Sequence, residues 1–492
     1  MKGLIPAFGS IWSMLLVIAL QGQAPLQLDT SFRLTFNDKG VADILPMTDG
    51  GLLISGQLRQ EGDPDFRTLL KVDQFGNLIT SFPGSQNTAG GGQMTTWNDK
   101  IYVATAHIVR RLDAEGFFDP SFIQMNAGPY FSSLQGGDYH VFPDGRVLLT
   151  GAHDLQDPVR GFDGLYNLIW FSNTGYLDTS RTHRRSNGTT NTIKHLPNEQ
   201  FLVCGTGSLY EDQPVGRIFR INEDGSLDPA LQTGVNWGAA YSFLPLPDGR
   251  FYAGGIFRRA VFPEDTLRLV RFLPNGELDP SFDNHLSFDN GALPYYNVGP
   301  GVGKIQPWTN GSILVMGRFQ FIDGEPRNGI CVIDSTGQLT DQFDECGVGP
   351  YTYQNIVSAS VNGVVEAPGD KLYVYGVYNG YNDGTTNDTL QRFVTRLYGP
   401  DFTTSVQEES PQDAFTFYPN PTHGTVELRM AHPPAGTARV RVYDPSGRQV
   451  LERSVSNAAT QLDVAPLANG IYLVEVEDGG QRLGAIRLAV QH

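Results

Sequence analysis

A six-residue phrase recurs along this chain, and it limits the folds open to the chain more than any other feature. Glu277 to Phe282 reads ELDPSF, while QLDTSF stands at Gln27 to Phe32, NLITSF at Asn77 to Phe82 and FFDPSF at Phe117 to Phe122. Weaker copies begin at Tyr176 (YLDTSR), Ser226 (SLDPAL) and Gln338 (QLTDQF). Such a period marks an array of units that share their cores with their neighbours rather than a set of independent domains.

Aligning the copies gives seven units, each expected to hold four strands. In the fifth they fall at Ala240 to Leu246, Arg250 to Phe257, Leu267 to Leu273 and Glu277 to Phe282. The first turn of every unit centres on residues that tolerate positive φ (Asp49-Gly50, Asn98-Asp99, Asp144-Gly145, Asn198-Glu199, Asp248-Gly249, Asn310-Gly311 and Gly369-Asp370), which predicts two-residue hairpins. Five residues further on stands glycine (Gly56, Gly151, Gly205, Gly255, Gly317 and Gly376), with Thr105 the exception, so a close backbone approach or a bend is expected there. The second turn ends on Gly76, Gly116, Gly175, Gly225, Gly276 or Gly337, as a three-residue hairpin with a bulge would.

The recurring phrase reads as an outer strand. Pro120, Pro229 and Pro280 suit an edge and discourage edge pairing. Leu278 and Phe282, four apart, would face one side, and Asp279 would fold its own downstream backbone into an Asx turn. The aspartates of the phrase are read as turn formers placed by the repeat. Four-stranded antiparallel units repeated radially make a β-propeller, and seven lies within the usual blade count. The last unit stops near Phe402 without an outer strand, while Leu28 to Phe32 is an outer strand with no unit before it. The spare strand is expected to complete the seventh blade.

The pattern Pro247-Asp248-Gly249-Arg250, an apolar run, Gly255, a variable loop and then Asn222-Glu223-Asp224-Gly225-Ser226-Leu227-Asp228-Pro229-type endings resembles the delta-60 family of bacterial repeats. Gly317-Arg318-Phe319 with Gly324 to Ile330 is the best single match, and the second unit departs most. The resemblance covers residues 28–402 and implies a propeller, not a reaction.

After Phe402 the polar, acidic stretch 403–412 reads as a linker, and the signature of the repeat is gone from Asp413 onward. Strands are expected at Thr425 to Met430, Ala438 to Tyr443, Gln449 to Ser454, Ile471 to Val476 and Gly484 to Val490. Phe417 with Tyr418, Pro419, Asn420 and Pro421, then Val442-Tyr443-Asp444 with Gly447, then Leu467 to Tyr472 including Gly470, resemble the type A sorting domain of the type IX secretion system. That resemblance implies a small Ig-like β-sandwich over 413–492, export across the outer membrane by the secretion machinery, and in most cases removal of the domain. The fold class is therefore all-β, a seven-bladed propeller followed by that sandwich.

The N-terminus agrees with export. Lys2, an apolar Trp12 to Leu20 and small residues from Ala19 to Ala24 form a signal peptide over 1–24, expected to be removed; the apolar run is about half the ~20 residues that a membrane span needs. No other stretch would cross a bilayer. A formal net charge of −17 argues against nucleic acid or an anionic membrane as main partner. Of the three cysteines, Cys331 and Cys346 would close a small loop if paired; the other reading makes these and Cys204 buried thiols.

The chain carries no HExxH, CxxC or GxSxG. Gly299 to Lys304 resembles a phosphate loop by eye but lacks its spacing and has Ile305 after the lysine. In an up-and-down blade both tight turns fall on one face, and the longer, variable loops on the other, where binding usually resides. Loops between units place aromatics there: Tyr130, Trp237, Tyr295, Tyr296 and Tyr351 are the candidate ligand-binding residues, able to stack on sugar rings or anchor a peptide, with packing between units as the competing reading. The remaining loops are acidic (Asp63, Asp154, Glu211, Glu264, Asp323 and Asp383 among them), and Asn382-Asp383-Gly384 has oxygen ligands of the kind calcium takes, although no EF-hand spacing is present and no cofactor is called for. Arg181, Arg184 and Arg185 form one basic island. The reading is a monomeric, non-catalytic binding propeller, secreted or on the cell surface, for glycan or protein. The alternative is a propeller enzyme acting on extracellular polysaccharide or glycoside, which would need convergent carboxylates.

Overall fold

The computed structural model describes residues 26–82, 90–125, 131–291, 293 and 299–399, and further on 415–418, 422, 424–430, 433–434, 436–444, 448–478 and 481–490. The segment 1–24 and the linker 403–412 lie outside the described residues. Two compact units are present, one within Gln23–Thr403 and one after Thr404.

In the larger unit each repeat forms its own antiparallel meander. The three inner strands are Asp38–Pro46, Leu52–Arg59 and Arg67–Val72 in the first repeat, and Met94–Trp97, Lys100–Ala104 and Val109–Leu112 in the second. Those of the third are Phe131–Val141, Val147–Asp157 and Phe162–Phe171, and of the fourth Thr190–His195, Phe201–Gly205 and Ile218–Ile221. The fifth has Val235–Pro245, Phe251–Arg259 and Phe262–Phe272, the sixth Gly301–Pro307, Ile313–Arg318 and Ile330–Ile333, and the seventh Ser360–Ala367, Lys371–Asn382 and Asn387–Tyr398.

The outer strand is shorter than expected. It is the two-residue Leu227–Asp228 in the fourth repeat, and a single bridge elsewhere, such as Val72 to Leu78, Leu112 to Phe118 and Phe272 to Leu278. The cause is the phrase itself. Asp279 N–H still pairs with Arg271 O at 2.8 Å, but Phe282 N–H then returns to Asp279 O at 3.2 Å, so the chain turns at once. Leu278 and Phe282 consequently do not share a side. Leu278 packs on the core between the fourth and fifth sheets, whereas Phe282 enters the core between the fifth and sixth. Leu28 and Phe32 divide in the same way between the two cores flanking the seventh sheet. The phrase is a staple across neighbouring sheets.

Four of the first turns differ from expectation. Met47, Phe142, Leu196 and Leu246 each accept from the residue three ahead, and only Gly50, Gly145, Glu199 and Gly249 there have positive φ. A primed two-residue turn of type I′ needs positive φ at both centres, so these are three-residue loops closed by a left-handed residue. The second repeat keeps a two-residue loop, with Trp97 opposite Lys100, and in the sixth and seventh both predicted centres, Asn310-Gly311 and Gly369-Asp370, have the expected positive φ. The glycines of the second strand do mark close backbone approach: a Cβ on Gly255 would lie 2.2 Å from Ala239 O, and one on Gly376 2.1 Å from Ser360 O. Those carbonyls border a bulge in the first strand, which carries the approaching backbone.

The ends meet as expected. Leu28 bridges Leu397, Leu26 N–H donates to Tyr398 O at 3.0 Å, and Asp29 N–H to Arg396 O at 2.9 Å. First strands are tied to the next sheet throughout. Met94 N–H donates to Asp43 (2.7 Å), Tyr139 hydroxyl to Gln93 O (3.2 Å), Ile193 N–H to Asp138 (3.2 Å) and Thr192 hydroxyl to Ala240 O (2.9 Å). Ile305 N–H donates to Ser242 (3.1 Å), Val364 N–H to Gln306 (3.3 Å) and, across the seam, Asn362 to Val41 O (2.7 Å).

The smaller unit has two antiparallel sheets around one core. One is Phe415–Tyr418, Thr425–Met430 and Ala459–Asp463; the other orders Gln449–Val455, Ala438–Tyr443, Gly470–Asp478 and Gln481–Val490. Val426, Leu428 and Leu462 from the first sheet and Val440, Val442 and Val474 from the second are fully or almost fully buried together.

Candidate functional site

The two faces of the larger unit are built for different work. On the tight-turn face the repeat aspartates Asp29, Asp119, Asp228 and Asp279 pair with arginines, whereas Asp178 bonds its own turn at Ser180. Asp279 takes Arg271 Nε at 2.7 Å and Arg250 Nη1 at 2.9 Å, and closes an Asx turn on Ser281 N–H at 2.9 Å. Arg271 continues through Nη1 to Tyr252 hydroxyl (3.0 Å) and to Ser335 O of the following repeat (2.6 Å). Arg111 repeats the arrangement with Asp119, Tyr102 and Asn173 O, and Arg396 with Asp29, Tyr373 and Gln74 O. Burial alone would raise the Asp279 carboxyl, but the bonds from Ser281, Arg250 and Arg271 outweigh it and hold it far below the usual carboxylate range. These carboxylates are structural. The turn role was expected; the arginine partner eight residues upstream was missed.

On the same face, a polar cavity of about 520 Å³ lies at the seam between the first and seventh repeats, bordered by Asp29, Lys371 and Arg396. Lys371 and Arg396 both pair with Asp29, at 3.0 and 2.9 Å. Its charged groups are thus already partnered.

The loop face holds a cavity of about 370 Å³ at the same seam. A short hairpin, Tyr351–Tyr353 with Ile356–Ser358, walls one side, and Lys39, Gln57 and Asn362 bring polar groups to it. Tyr351, a candidate mouth residue, is buried: its ring packs edge-on to Phe393 at 5.2 Å and its hydroxyl donates to Asp38 at 3.0 Å. Burial first, and then Asp38, push its hydroxyl well above the ordinary tyrosine range. Tyr353 stands further out. The Lys39 ammonium sits 4.8 Å from its ring centre and 5.2 Å from that of Phe66, and donates to Gln57 at 3.3 Å.

Trp237 is half accessible, with the Arg258 guanidinium 4.8 Å from its ring centre. Tyr130, Tyr295 and Tyr296 lie outside the described residues; of the two described candidates, Trp237 belongs to the fifth repeat and Tyr351 to the segment entering the seventh. Of the sorting residues, Tyr418 is exposed, Gly470 starts a strand, and Tyr472 is buried with its hydroxyl on Ala468 O at 2.8 Å. Pro419, Asn420, Pro421 and Gly447 are outside the described residues.

Other sequence candidates find partners within the fold. Asp383 accepts Leu28 N–H (2.8 Å) through one oxygen and Thr385 and Thr386 N–H through the other, so it fastens the closing strand. Arg184 lies 3.5 Å from Glu211 and Arg181 3.9 Å from Glu223. Cys204, Cys331 and Cys346 are buried, unbridged thiols; burial pushes Cys204 up to about 11 and Cys346 to about 12, the latter also under the pull of Asp383 and Asp344. Among the described residues no group of three or more His, Cys, Asp or Glu is placed to hold a metal ion, and no helix is long and apolar enough to cross a membrane.

Two family models match. A secretion system C-terminal sorting domain matches residues 416–486, and a domain of unknown function (DUF5122) β-propeller matches residues 200–230 and 246–282. No curated protein matches the chain. Similar solved structures include PorZ, an essential surface component of the type IX secretion system of Porphyromonas gingivalis (13% identity, 90% of this chain and 69% of that one, TM-score 0.35). They also include the extracellular domain of BT4673 from B. thetaiotaomicron (12% identity, 96% and 60%, TM-score 0.42) and the WD40 domain of Neurospora crassa Pan2 (10% identity, 75% and 90%, TM-score 0.35). With repeats of the DUF5122 propeller followed by that tail, the chain is a β-propeller carrying a type IX secretion system sorting domain, exported to the cell surface or secreted.

Proposed function

We propose that the exported chain is a non-catalytic binding protein, a propeller of seven blades that captures a glycan or protein through its loop face. The observation that carries this is the contrast between faces. Four repeat carboxylates of the tight-turn face are bound into arginine pairs and a fifth, Asp178, into its own turn, whereas the loop face offers a cavity of about 370 Å³ walled by Tyr351, Tyr353 and Ile356 with Gln57 and Asn362 as polar groups. A concave, mostly apolar site with a few convergent polar groups is the usual form of a ligand pocket. The C-terminal module is an Ig-like sandwich on this reading, and Tyr418, Pro419, Asn420, Pro421, Gly447, Gly470 and Tyr472 are what the secretion machinery reads.

One observation favours the enzyme alternative. Asp43 and Asp138, on the first strands of the first and third repeats, are both raised by burial, and both feel Lys304. Against it, each carboxylate already accepts a backbone N–H of the next sheet. A glycan and protein array with the full chain, followed by assay of each bound polymer for cleavage, separates the readings. Binding without new chain ends supports capture; cleavage lost in Asp43→Asn or Asp138→Asn establishes the enzyme.

A further inference from the structure

Most arginines of the larger unit face a carboxylate, as Arg271, Arg111 and Arg396 do. Around Trp237 they do not. Arg258 donates to Thr266 hydroxyl (2.9 Å) and Pro263 O (3.2 Å). Arg268 donates to Pro300 O and Thr266 O, both at 2.8 Å. Arg217 donates to Asn236 O at 3.3 Å and also to Thr206 O. These bonds use Nε and Nη1 and leave each Nη2 without a partner among the described residues. The group is contiguous: Trp237 lies opposite Arg258 in the strand pairing, Arg217 holds the residue before it, and Arg258 and Arg268 share Thr266.

All three residues are of intermediate exposure, and their guanidinium groups are pinned by neutral oxygens. Glu264, Asp265 and Asp289 stand on neighbouring segments, and Asp265 and Asp289 favour the charged form of Arg268 at longer range, yet no carboxylate among the described residues lies within ion-pair distance of Arg217, Arg258 or Arg268. Like charges held close together without counter-ions are unfavourable in an empty site. A bound anion relieves that, and a guanidinium fork with a free edge is suited to carboxylate or sulfate. The exposed indole beside it adds a flat apolar surface, on which a pyranose ring can stack.

We propose that this cluster, Trp237 with Arg217, Arg258 and Arg268, recognises an acidic polysaccharide: the sugar ring lies on Trp237 and its carboxylate or sulfate is taken by the arginines. This deepens the capture reading and rests on it. A chain of net charge −17 repels polyanions as a whole, so retention of one must be local.

The test uses the full chain and measures binding to polygalacturonate, heparin, neutral dextran and xylan, and poly-glutamate. Retention of an acidic polysaccharide but not of dextran, xylan or poly-glutamate is expected, with affinity falling at least tenfold in Arg258→Gln/Arg268→Gln and in Trp237→Ala. Polygalacturonate against heparin tells carboxylate from sulfate. Trp237 is half exposed, so its alanine variant should melt as the parent does and guards against misfolding as the cause. Equal binding of poly-glutamate makes the site a plain anion patch and overturns the proposal. Binding of neutral polymers unaffected by these variants overturns it too, but leaves the capture reading standing. No binding to any polymer or array partner removes both.

Discussion

Asp29 and Arg396, 367 residues apart in sequence, form a buried ion pair of 2.9 Å, and Lys371 joins it at 3.0 Å. This pair does across the seam what Asp279 and Arg271 do inside the fifth repeat. Removing one partner of a buried pair leaves the other uncompensated, at a cost of roughly 3–5 kcal/mol. Asp29→Asn, which takes the shared carboxylate from both Arg396 and Lys371, should therefore lower the melting temperature strongly, and Arg146→Gln, whose partner Asp144 is exposed, should change it little. Equal melting of the two variants in thermal denaturation would show that the seam pair adds no stability.

Acid should weaken the fold in two stages. Burial holds His140, His153 and His183 down near 4, well below the ordinary 6.5, with His195 adding to the effect at His140. Between those values the unfolded chain binds the extra protons, so stability rises with pH there and is lost as pH falls from about 6.5 to about 4. For Asp29, burial is outweighed by Ser31, Lys371 and Arg396, which lower it to about 2. Its contribution is present above the usual 3.8 and disappears as pH falls through about 2. A melting temperature that stays flat from pH 7 to pH 4.5 would contradict the histidine stage.

Glycines of similar appearance should respond differently to alanine. Gly255→Ala places a methyl 2.2 Å from Ala239 O and forces two strands apart, an overpacking cost of about 1–3 kcal/mol. Gly303→Ala, in the segment resembling a phosphate loop, meets nothing nearer than 3.8 Å and should be neutral. Chemical denaturation of both variants reads the difference directly.

Two loop-face aromatics should separate in one pair of variants. Tyr351 is buried against Phe393 and Asp38, so Tyr351→Ala should destabilise by about 3–5 kcal/mol. Trp237→Ala should leave melting unchanged and act on binding alone. Early melting of the Trp237 variant would make that ring a packing residue.

Processing is open to a single measurement. Intact mass of the exported protein is expected to lack residues 1–24 and the module after residues 403–412. A mature form still carrying Asp413 onward on most molecules would count against removal, though not against sorting.

Period, turn glycines and the spare strand were legible in the sequence because each is a backbone requirement, and backbone requirements narrow the choice of residue. The arginine latch was legible in part, had Arg111, Arg220 and Arg271 been set beside Asp119, Asp228 and Asp279; where the aspartate gives way to Ile79 or Thr340, the position eight residues upstream is Lys71 or Val332, and Asp178 breaks the pattern with Trp170 there. The brevity of the outer strand was hidden, since it follows from the turn at Asp279 that removes the strand it ends. In the C-terminal unit Phe415–Tyr418 and Ala459–Asp463 went unread, being short and flanked by polar residues. At the site, position could be read but exposure could not. Tyr351 and Trp237 occupy like places in sequence, and the hairpin Tyr351–Tyr353 with Ile356–Ser358 folds one of them inward.

The seam also sets a clock. Leu28 emerges from the ribosome first and Leu397 369 positions later, yet the two must lie side by side before the sheets can close. At synthesis rates of ~5–20 residues per second, the closing strand waits roughly 20–70 s for its partner. Throughout that time the nascent molecule is an open arc with two unpaired edges, and such edges are templates for wrong pairing. Delivery to the outside therefore has to outlast or outpace this open interval, and a variant that weakens closure should be lost to proteolysis and aggregation during transit before any defect appears in the finished protein.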